Sequence, residues 1–261
     1  MFGIVPKPLW EKKIPADNRN RIPLAMRCLL LESSDRLILI DNGIGEKYDE
    51  RFADIYSLDS SEANLETSLN SLGFGFDDVT DVILTHLHFD HCGGSTLRIG
   101  DRFEVGFRNA VFHIQREHWF WALKSNVREK ASFLSENLDP LGNSGQLNFI
   151  DGRSELYPGV ELFPVDGHTK SMQLVRIYDQ DASIVFVADL LPTHVHLSPS
   201  WNMAYDLWPM KTIQEKRAFL EDAVAGHWKL FFEHDASVAV ADVEMTERGP
   251  GIVDPRALIE L

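Results

Sequence analysis

The sequence predicts a mixed α/β fold, because short apolar runs bounded by turn residues alternate with segments whose apolar residues recur at helical spacing. The chain has 261 residues and is 44% hydrophobic, which is long enough for one sizeable core. We find no Pro/Gly/Ser-rich linker and no internal repeat. We therefore predict a single domain over residues 1–261, with residues 1–21 as an N-terminal extension.

The first half of the chain begins with a predicted hairpin. Residues 22–32 and 36–41 are apolar runs separated by Ser33-Ser34-Asp35. Residues 61–72 have leucines on one helical face, with Ser61 as the expected cap. The further expectations up to residue 145 are strands at 81–85 and 110–114, helices at 116–124 and 128–137, and a loop at 140–145.

The second half contains three more apolar runs that predict strands, at 160–165, 184–188 and 230–233. A helix is expected over 212–225, with Thr212 and Glu215 as a capping box and Gly226 as its end. Residues 237–245 again resemble a strand.

Three imidazoles and one carboxylate lie within six residues, directly after the strand that ends near Leu84. His86 and His88 are two residues apart, so an extended backbone points both side chains to one side. Asp90 and His91 follow where Gly93-Gly94 permits a tight turn. Imidazole and carboxylate ligands without thiolate favour Zn, Fe, Mn or Co. The pair His86 and His88 faces one way and the pair Asp90 and His91 another, which suits two neighbouring ions better than one.

Other strands also end on side chains that can bind a metal. His168 follows the strand at 160–165, Asp189 follows the one at 184–188, and His234 follows the one at 230–233. Ligands at strand ends can converge at one edge of a sheet, where rigid elements hold them. We expect these three residues to complete the metal site.

The composition restricts the partners. The formal net charge is -15, so the chain is a poor match for nucleic acid or an anionic membrane surface. Cys28 and Cys92 are too few for a disulfide framework, and the cluster itself makes Cys92 a less favoured ligand. The N-terminal stretch has no continuous apolar run like that of a signal peptide, which favours the cytoplasm. A homodimer stays open.

The set His86, His88, Asp90 and His91 matches the His-x-His-x-Asp-His signature, and the chain resembles the metallo-β-lactamase superfamily. The resemblance implies a four-layer αββα sandwich. It implies one metal on His86, His88 and His168, and a second on Asp90, His91 and His234, with Asp189 bridging both. It also implies that Asp41 orients a ligand imidazole.

Two divalent ions of this kind would share a bridging hydroxide that attacks an ester-like bond. Zinc is the first expectation, with Fe, Mn or Co as alternatives. Asp90 is the expected proton carrier to the leaving group. The chain is therefore expected to be a metal-dependent hydrolase, acting on a small ester or lactone.

Several features select a branch of the superfamily. Asp189 argues against lactam cleavage, and His88 stands where oxygen-reducing diiron members have Glu. The absence of an evident basic C-terminal helical region argues against glutathione thioesters. The form His-Leu-His-Phe-Asp-His-Cys-Gly-Gly resembles the quorum-quenching N-acyl-homoserine lactone lactonases. Hydrolysis of organophosphates or aryl esters is the alternative, and a thioester hydrolase or a non-hydrolytic redox protein is less favoured.

One departure from the lactonase pattern concerns a substrate-binding donor. These lactonases place Tyr three residues after the bridging Asp, where this chain has Pro192. We expect His194 or Tyr205 to supply the missing donor, and the alternatives are that His196 supplies it or that no residue does. His113 and His118 are expected to be packing residues.

Overall fold

The computed structural model describes residues 1–61, 63–247 and 249–257. Its strands are β1 Leu29–Glu32, β2 Leu37–Ile40, β3 Asp81–Ile83, β4 Thr96–Ile99, β5 Arg102–Val105, β6 Val111–Gln115, β7 Leu147–Ile150, β8 Ser154–Tyr157, β9 Val160–Val165, β10 Met172–Tyr178, β11 Ser183–Phe186, β12 Lys229–Phe231, β13 Val240–Thr246 and β14 Gly249–Arg256. Its α-helices are α1 Lys7–Trp10, α2 Glu50–Tyr56, α3 Leu65–Ser71, α4 Phe89–Cys92, α5 Arg116–Leu123, α6 Ser135–Ser144 and α7 Pro209–Ala225.

The chain forms two compact units, one of residues 26–151 and one of residues 1–25 together with the chain from Gly152 onward. The first unit has a five-stranded sheet in the order β1-β2-β3-β6-β7, and a separate hairpin of β4 and β5. Strands β2, β3, β6 and β7 run parallel. Every residue of β2 and β3 is buried, as expected for parallel strands covered on both faces.

The parallel direction matters for the position of the polar residues. The carboxyl ends of β2, β3 and β6 lie at the same edge of the sheet, so the segments that follow them start there. The core beneath this edge includes Leu39, Val82 and Phe112, all at most 1% exposed. Asp41, the His86–His91 stretch and α5 are therefore held at one edge by a rigid apolar base.

The second unit has a seven-stranded sheet in the order β14-β13-β12-β11-β10-β9-β8. Strands β11 and β12 are parallel, whereas the other neighbouring pairs are antiparallel. Helix α7 connects the loop after β11 to β12, and its buried residues are Thr212, Lys216, Phe219, Leu220 and Ala223.

The fold class predicted from the sequence is confirmed as a mixed α/β fold built on several sheets. The predicted strand at 160–165 has the bounds of β9, and the helix predicted at 116–124 is α5. Among the described residues, no helix is both long enough and apolar enough to cross a bilayer.

The helix predicted at 128–137 is wrong over most of its length, because Lys130–Ser132 forms a 3-10 turn and α6 begins only at Ser135. Three further local predictions were wrong. The loop expected at 140–145 is largely helical, because α6 continues through Pro140 to Ser144 and ends at Gly145 in the left-handed region. Helix α3 begins after Asn64 rather than after Ser61. The hydroxyl and the backbone N–H of Ser61 both donate to Asp59 instead. Residue 62 of the predicted segment lies outside the described residues.

The third error concerns the start of α7. The helix begins at Pro209, one turn earlier than expected, since proline is preorganised for a first helical position. Glu215 does not close a capping box, because its carboxylate accepts hydrogen bonds from the backbone N–H groups of Asp166 and Gly167. The predicted end at Gly226 is confirmed.

The glycine pair after the histidine cluster is required by space rather than by an unusual dihedral angle. Gly93 is in the right-handed helical region. A Cβ atom on Gly93 would overlap the carbonyl oxygen of Ile44, and one on Gly94 would overlap that of Asn42. The turn after β3 is thus packed directly on the backbone that follows β2.

We predict that Gly94→Ala lowers the free energy of unfolding by about 1–3 kcal/mol, because the backbone around Asn42 must shift to admit the methyl group. Gly75→Ala is the matched control, since the nearest atom to its Cβ would be Asp78 Oδ2 at 3.7 Å. Urea unfolding of both variants measures the difference. Equal midpoints for the two variants would contradict this account of the turn.

Candidate metal centre

Asp41 is a buried carboxylate that organises the edge of the first sheet. Its Oδ1 accepts the backbone N–H of Thr85 at 2.7 Å, and its Oδ2 accepts the hydroxyl of Thr85 at 2.6 Å. Oδ2 also lies 3.1 Å from Nδ1 of His91. Because a carboxylate only accepts, Nδ1 of His91 carries the proton and its Nε2 is a potential ligand. The orienting contact implied by the resemblance is present.

The hydrogen bonds around His86 define which of its nitrogens is an acceptor. The single hydroxyl proton of Thr85 is donated to Asp41, so Thr85 Oγ1 can only accept from Nδ1 of His86, at 3.0 Å. Nε2 of His86 is therefore the acceptor nitrogen in the neutral ring.

The same reasoning applies to His88, whose Nε2 lies 3.0 Å from Oε1 of Glu129. The carboxylate accepts, so Nε2 carries the proton and Nδ1 is the acceptor. Nδ1 of His88 lies 3.0 Å from Nε2 of His86, which places two acceptors against each other. Two nitrogens on one tetrahedral zinc would be roughly 3.3 Å apart, given Zn–N distances of about 2.0–2.1 Å. A cation between them fits this pair.

Two neighbours of the cluster have packing roles. Nε2 of His118 accepts the backbone N–H of Leu87 at 2.8 Å, which supports the turn between His86 and His88. Cys92 is fully buried, and its thiol donates to the carbonyl of Leu87. Burial raises the pKa of Cys92 to about 12, so the thiolate needed for metal binding is disfavoured.

The second unit contains a separate group of buried ligands, formed by His168, Asp189 and His234. Oδ2 of Asp189 lies 3.1 Å from Nε2 of His168, and Oδ1 lies 3.3 Å from Nε2 of His234. One carboxylate therefore presents one oxygen to each imidazole. The sequence placed these residues after β9, after β11 and after β12, and the structure brings the three side chains together.

The outer nitrogens of both imidazoles in this group contact acceptors. Nδ1 of His168 lies 3.1 Å from Oδ1 of Asp206, and Nδ1 of His234 donates to the carbonyl of Ala25 at 2.8 Å. In the neutral rings, each Nε2 is then an acceptor that faces an oxygen of Asp189. Such an arrangement is suited to a cation at each Nε2.

Electrostatics support the same conclusion for His168. Burial disfavours its protonated form, but the carboxylates of Asp189 and Asp206 raise its pKa to about 10. The two carboxylates thus favour a positive charge at this ring. Without a metal that charge is a proton, and a metal ion would have to displace it.

The loop that carries His168 is held by α7. Glu215 accepts the N–H groups of Asp166 and Gly167, each at 2.8 Å. A Cβ atom on Gly167 would overlap the backbone of Thr212, so only glycine permits this close approach to the helix. The position of His168 is therefore set by the start of α7.

The two candidate donor residues differ in their surroundings. Nδ1 of His194 contacts Oδ2 of Asp235, whose oxygens also accept backbone N–H groups, and the His194 side chain is 30% exposed. Tyr205 is 60% exposed. Pro192 offers only a carbonyl, which accepts the N–H of His234 at 3.2 Å.

The remaining histidines have structural surroundings. His113 is buried between Asp81 and Asn148 at hydrogen-bond distances of 2.8 and 2.9 Å, in agreement with a packing role. His196 is fully buried and stacks on Phe2 with ring centroids 4.9 Å apart. Burial lowers the pKa of His196 to about 3, so this ring is neutral.

Sequence reasoning missed Glu129 and Asp206, the acceptors for His88 and His168. Glu129 lies in the predicted helix 128–137 and Asp206 in a predicted loop, and neither belongs to a motif, so no local signal identifies them as partners of a histidine. It also missed Lys216, although a signal existed there. The helical spacing of Thr212, Lys216 and Phe219 places the lysine on the buried face of α7.

The family model of the metallo-β-lactamase superfamily matches residues 23–234. The chain belongs to this superfamily. Residues 86–91 of this matched range carry the His-x-His-x-Asp-His pattern.

Individual relatives agree with this assignment. The chain is 28% identical to an N-acyl homoserine lactonase of Bacillus cereus over 179 residues, which is 64% of each chain. It thus spans about two thirds of the length of the curated relatives it matches, with 64% of the Bacillus cereus protein covered.

Solved structures show the same fold. A probable metal-dependent hydrolase from Staphylococcus aureus superposes with a TM-score of 0.90 and 29% identity, covering 100% of this chain and 92% of the other. The dizinc quorum-quenching lactonase AidC, solved with a product, N-hexanoyl-L-homoserine, superposes with a TM-score of 0.75 at 22% identity, covering 90% and 80%.

Proposed function

We propose that this protein is a dinuclear metal-dependent hydrolase that opens lactone rings, with N-acyl-homoserine lactones as the first substrate class. The observation that carries the proposal is Asp189, which presents one oxygen to His168 and the other to His234. A carboxylate with this arrangement suits a bridge between two cations. Membership of the superfamily supports hydrolysis as the reaction class.

The proposed ligand set follows the superfamily signature. By that signature, His86, His88 and His168 would hold one ion, Asp90, His91 and His234 would hold the other, and Asp189 would serve both. Within the first unit, Nε2 of His91 lies 3.9 Å from Oδ1 of Asp90, which supports their assignment to one ion. When bound, two divalent ions would supply Lewis acidity and generate a nucleophile from water near neutral pH.

The residues of this chain supply the rest of the chemistry. Water adds to the lactone carbonyl, the ring C–O bond breaks, and the ring oxygen leaves as a hydroxyl group after it receives a proton. Asp90 is the proposed carrier of that proton. Its side chain is 33% exposed, so it can exchange protons with the substrate side.

His194 is the favoured donor to the substrate carbonyl. Its Nδ1 contact with Asp235 orients the ring, and the side chain is 30% exposed, whereas the Tyr205 side chain has no comparable carboxylate partner among its described contacts. A donor of fixed orientation loses less entropy when it stabilises developing charge.

Aromatic side chains next to the ligand helix α4 favour a substrate with an apolar part. Phe89 lies between His88 and Asp90 in sequence and contacts the rings of Phe52 and Tyr56 at centroid distances of 5.3 and 5.1 Å. Tyr56 is 47% exposed. An acyl chain packed on such a surface would gain about 0.8 kcal/mol per buried methylene.

We predict about two metal ions per chain in wild-type protein, because the ligand set has two groups. The double variant His86→Ala/His88→Ala should retain at most one ion and lose turnover. Elemental analysis of protein prepared without chelators measures both values. His113→Ala is the control, since His113 belongs to neither group. One ion or none in the wild type would refute the dinuclear site.

We predict that His194→Ala lowers kcat on the order of 10²–10³-fold, the usual effect of losing one donor to a developing oxyanion. Tyr205→Phe should have a smaller effect, because no side chain in the described part of the chain orients the exposed phenol. Steady-state kinetics on a lactone compares the two variants. Wild-type turnover in both would mean that no side chain replaces the tyrosine missing at Pro192.

We predict that kcat/KM rises with acyl length across a homoserine lactone series, by up to about fourfold per methylene, until the apolar surface is covered. An aryl phosphotriester and an aryl ester are the comparison substrates, because the same two ions could serve at phosphorus. Faster hydrolysis of the phosphotriester than of every lactone would favour the organophosphate alternative instead.

A further inference from the structure

Lys216 is a buried cation in the middle of α7. It is 1% exposed, although lysine is almost never fully buried without partners. Its Nζ donates to the carbonyl oxygens of His196 at 2.9 Å and Trp201 at 2.7 Å. Burial lowers the pKa of Lys216 to about 8, which shows that the site disfavours the charge. An apolar side chain would fill the same space without this cost.

The two carbonyls belong to one segment, residues 193–208, which we call the 193–208 loop. It connects the turn containing Asp189 to α7 and includes only one short helical turn, His194–Leu197. Without the ammonium group, the carbonyls of His196 and Trp201 would lose their bond from α7. A buried carbonyl without a donor costs about 1–3 kcal/mol.

The far end of the same loop contacts His168. Asp206 accepts from Nδ1 of His168 at 3.1 Å and from the side chain of Asn202 at 3.2 Å. The backbone N–H of Leu207 donates to the carbonyl of His168 at 3.0 Å. The Asp206 carboxylate also stabilises the charge on Lys216 and partly opposes the effect of burial on it.

We propose that Lys216 is a positioning residue that, by binding two carbonyls of the 193–208 loop, holds Asp206 against His168 and thereby fixes the imidazole for its metal ion. This inference rests on the proposed function for the ion itself. Lys216 touches neither a ligand nor substrate in this role. Its neighbour Glu215 holds the backbone before His168, so adjacent residues of one helix fix both sides of that side chain.

The test uses Lys216→Met, which keeps the length and packing of the side chain but removes the donor. Two measurements are independent of substrate. The first is the rate at which each metal ion passes to a chelator, where loss of an orienting contact typically weakens binding about 10–100-fold. The second is chymotrypsin cleavage within the 193–208 loop, located by mass spectrometry after residues such as Trp201 and Tyr205.

Lys216→Met should release one of the two ions 10–100-fold faster and leave the other nearly unchanged. Loop cleavage should be on the order of tenfold faster. Asp206→Ala should release the same ion, and the double variant should be no worse than Asp206→Ala alone, because both act on one contact. Additive effects of the two substitutions would overturn the proposal.

Leu220→Ala is the control for a general loss of stability, since Leu220 is a fully buried apolar residue on the same helix. If Lys216→Met behaves like Leu220→Ala in metal release and cleavage, the lysine has only a packing role. If Lys216→Met does not fold, Lys216→Gln retains an amide donor and is measured in the same way. A wild type that takes up no metal would refute the proposed function, and the cleavage rates would then decide the role of Lys216.

Discussion

A hydrogen bond from the outer ring nitrogen of a histidine to a fixed acceptor of the protein is the interaction on which the candidate centre depends. Asp41 supplies it to His91, Asp206 to His168, and the carbonyl of Ala25 to His234. Each contact fixes the tautomer, so that the inner nitrogen is the acceptor whenever the ring is neutral. Asp41 and Asp206 are buried, and a carboxylate in such surroundings holds an imidazole more strongly than it would in water.

The second constraint is that helix α7 works as a rigid support for two segments. Glu215 binds the backbone before His168, and Lys216 binds the loop that carries Asp206. Both residues are charged, and both use their charge on backbone groups rather than on each other. Their contacts with the backbone therefore fix the geometry of the two segments that flank His168.

The sequence predicted the parts of this centre that are local and periodic. His86, His88, Asp90 and His91 share one short motif, and the strand that ends in Asp166-Gly167-His168 was predicted with its observed bounds. Apart from the contact of Asp41 with His91, the hydrogen bonds to the rings could not be predicted, because Glu129 and Asp206 reach them only through the folded loops. From its spacing to Thr212, Glu215 was predicted to cap its own helix. In the folded protein its carboxylate instead accepts the backbone N–H groups of Asp166 and Gly167.

The helix at α6 shows a related limit. Pro140 and two glycines suggested a loop, but α6 includes Pro140. The leucines on either side of it in the sequence, Leu138 and Leu141, are buried. Burial of these leucines outweighs the lost hydrogen bond and the weak propensities of the turn residues. Local propensity therefore fails where a short amphipathic segment can cover the core.

The backbone just before Asp189 has a consequence for engineering. Ala188 has a φ of 44°, in the left-handed region that costs a residue with a Cβ atom about 1–2 kcal/mol. A glycine there would relieve the strain, yet it would also allow the segment that aims Asp189 to sample more conformations. Selection for thermal stability alone would favour Ala188→Gly. The same substitution would leave the orientation of the Asp189 carboxylate less restricted. At position 188, the most stable protein and the best-oriented Asp189 carboxylate would therefore require different amino acids.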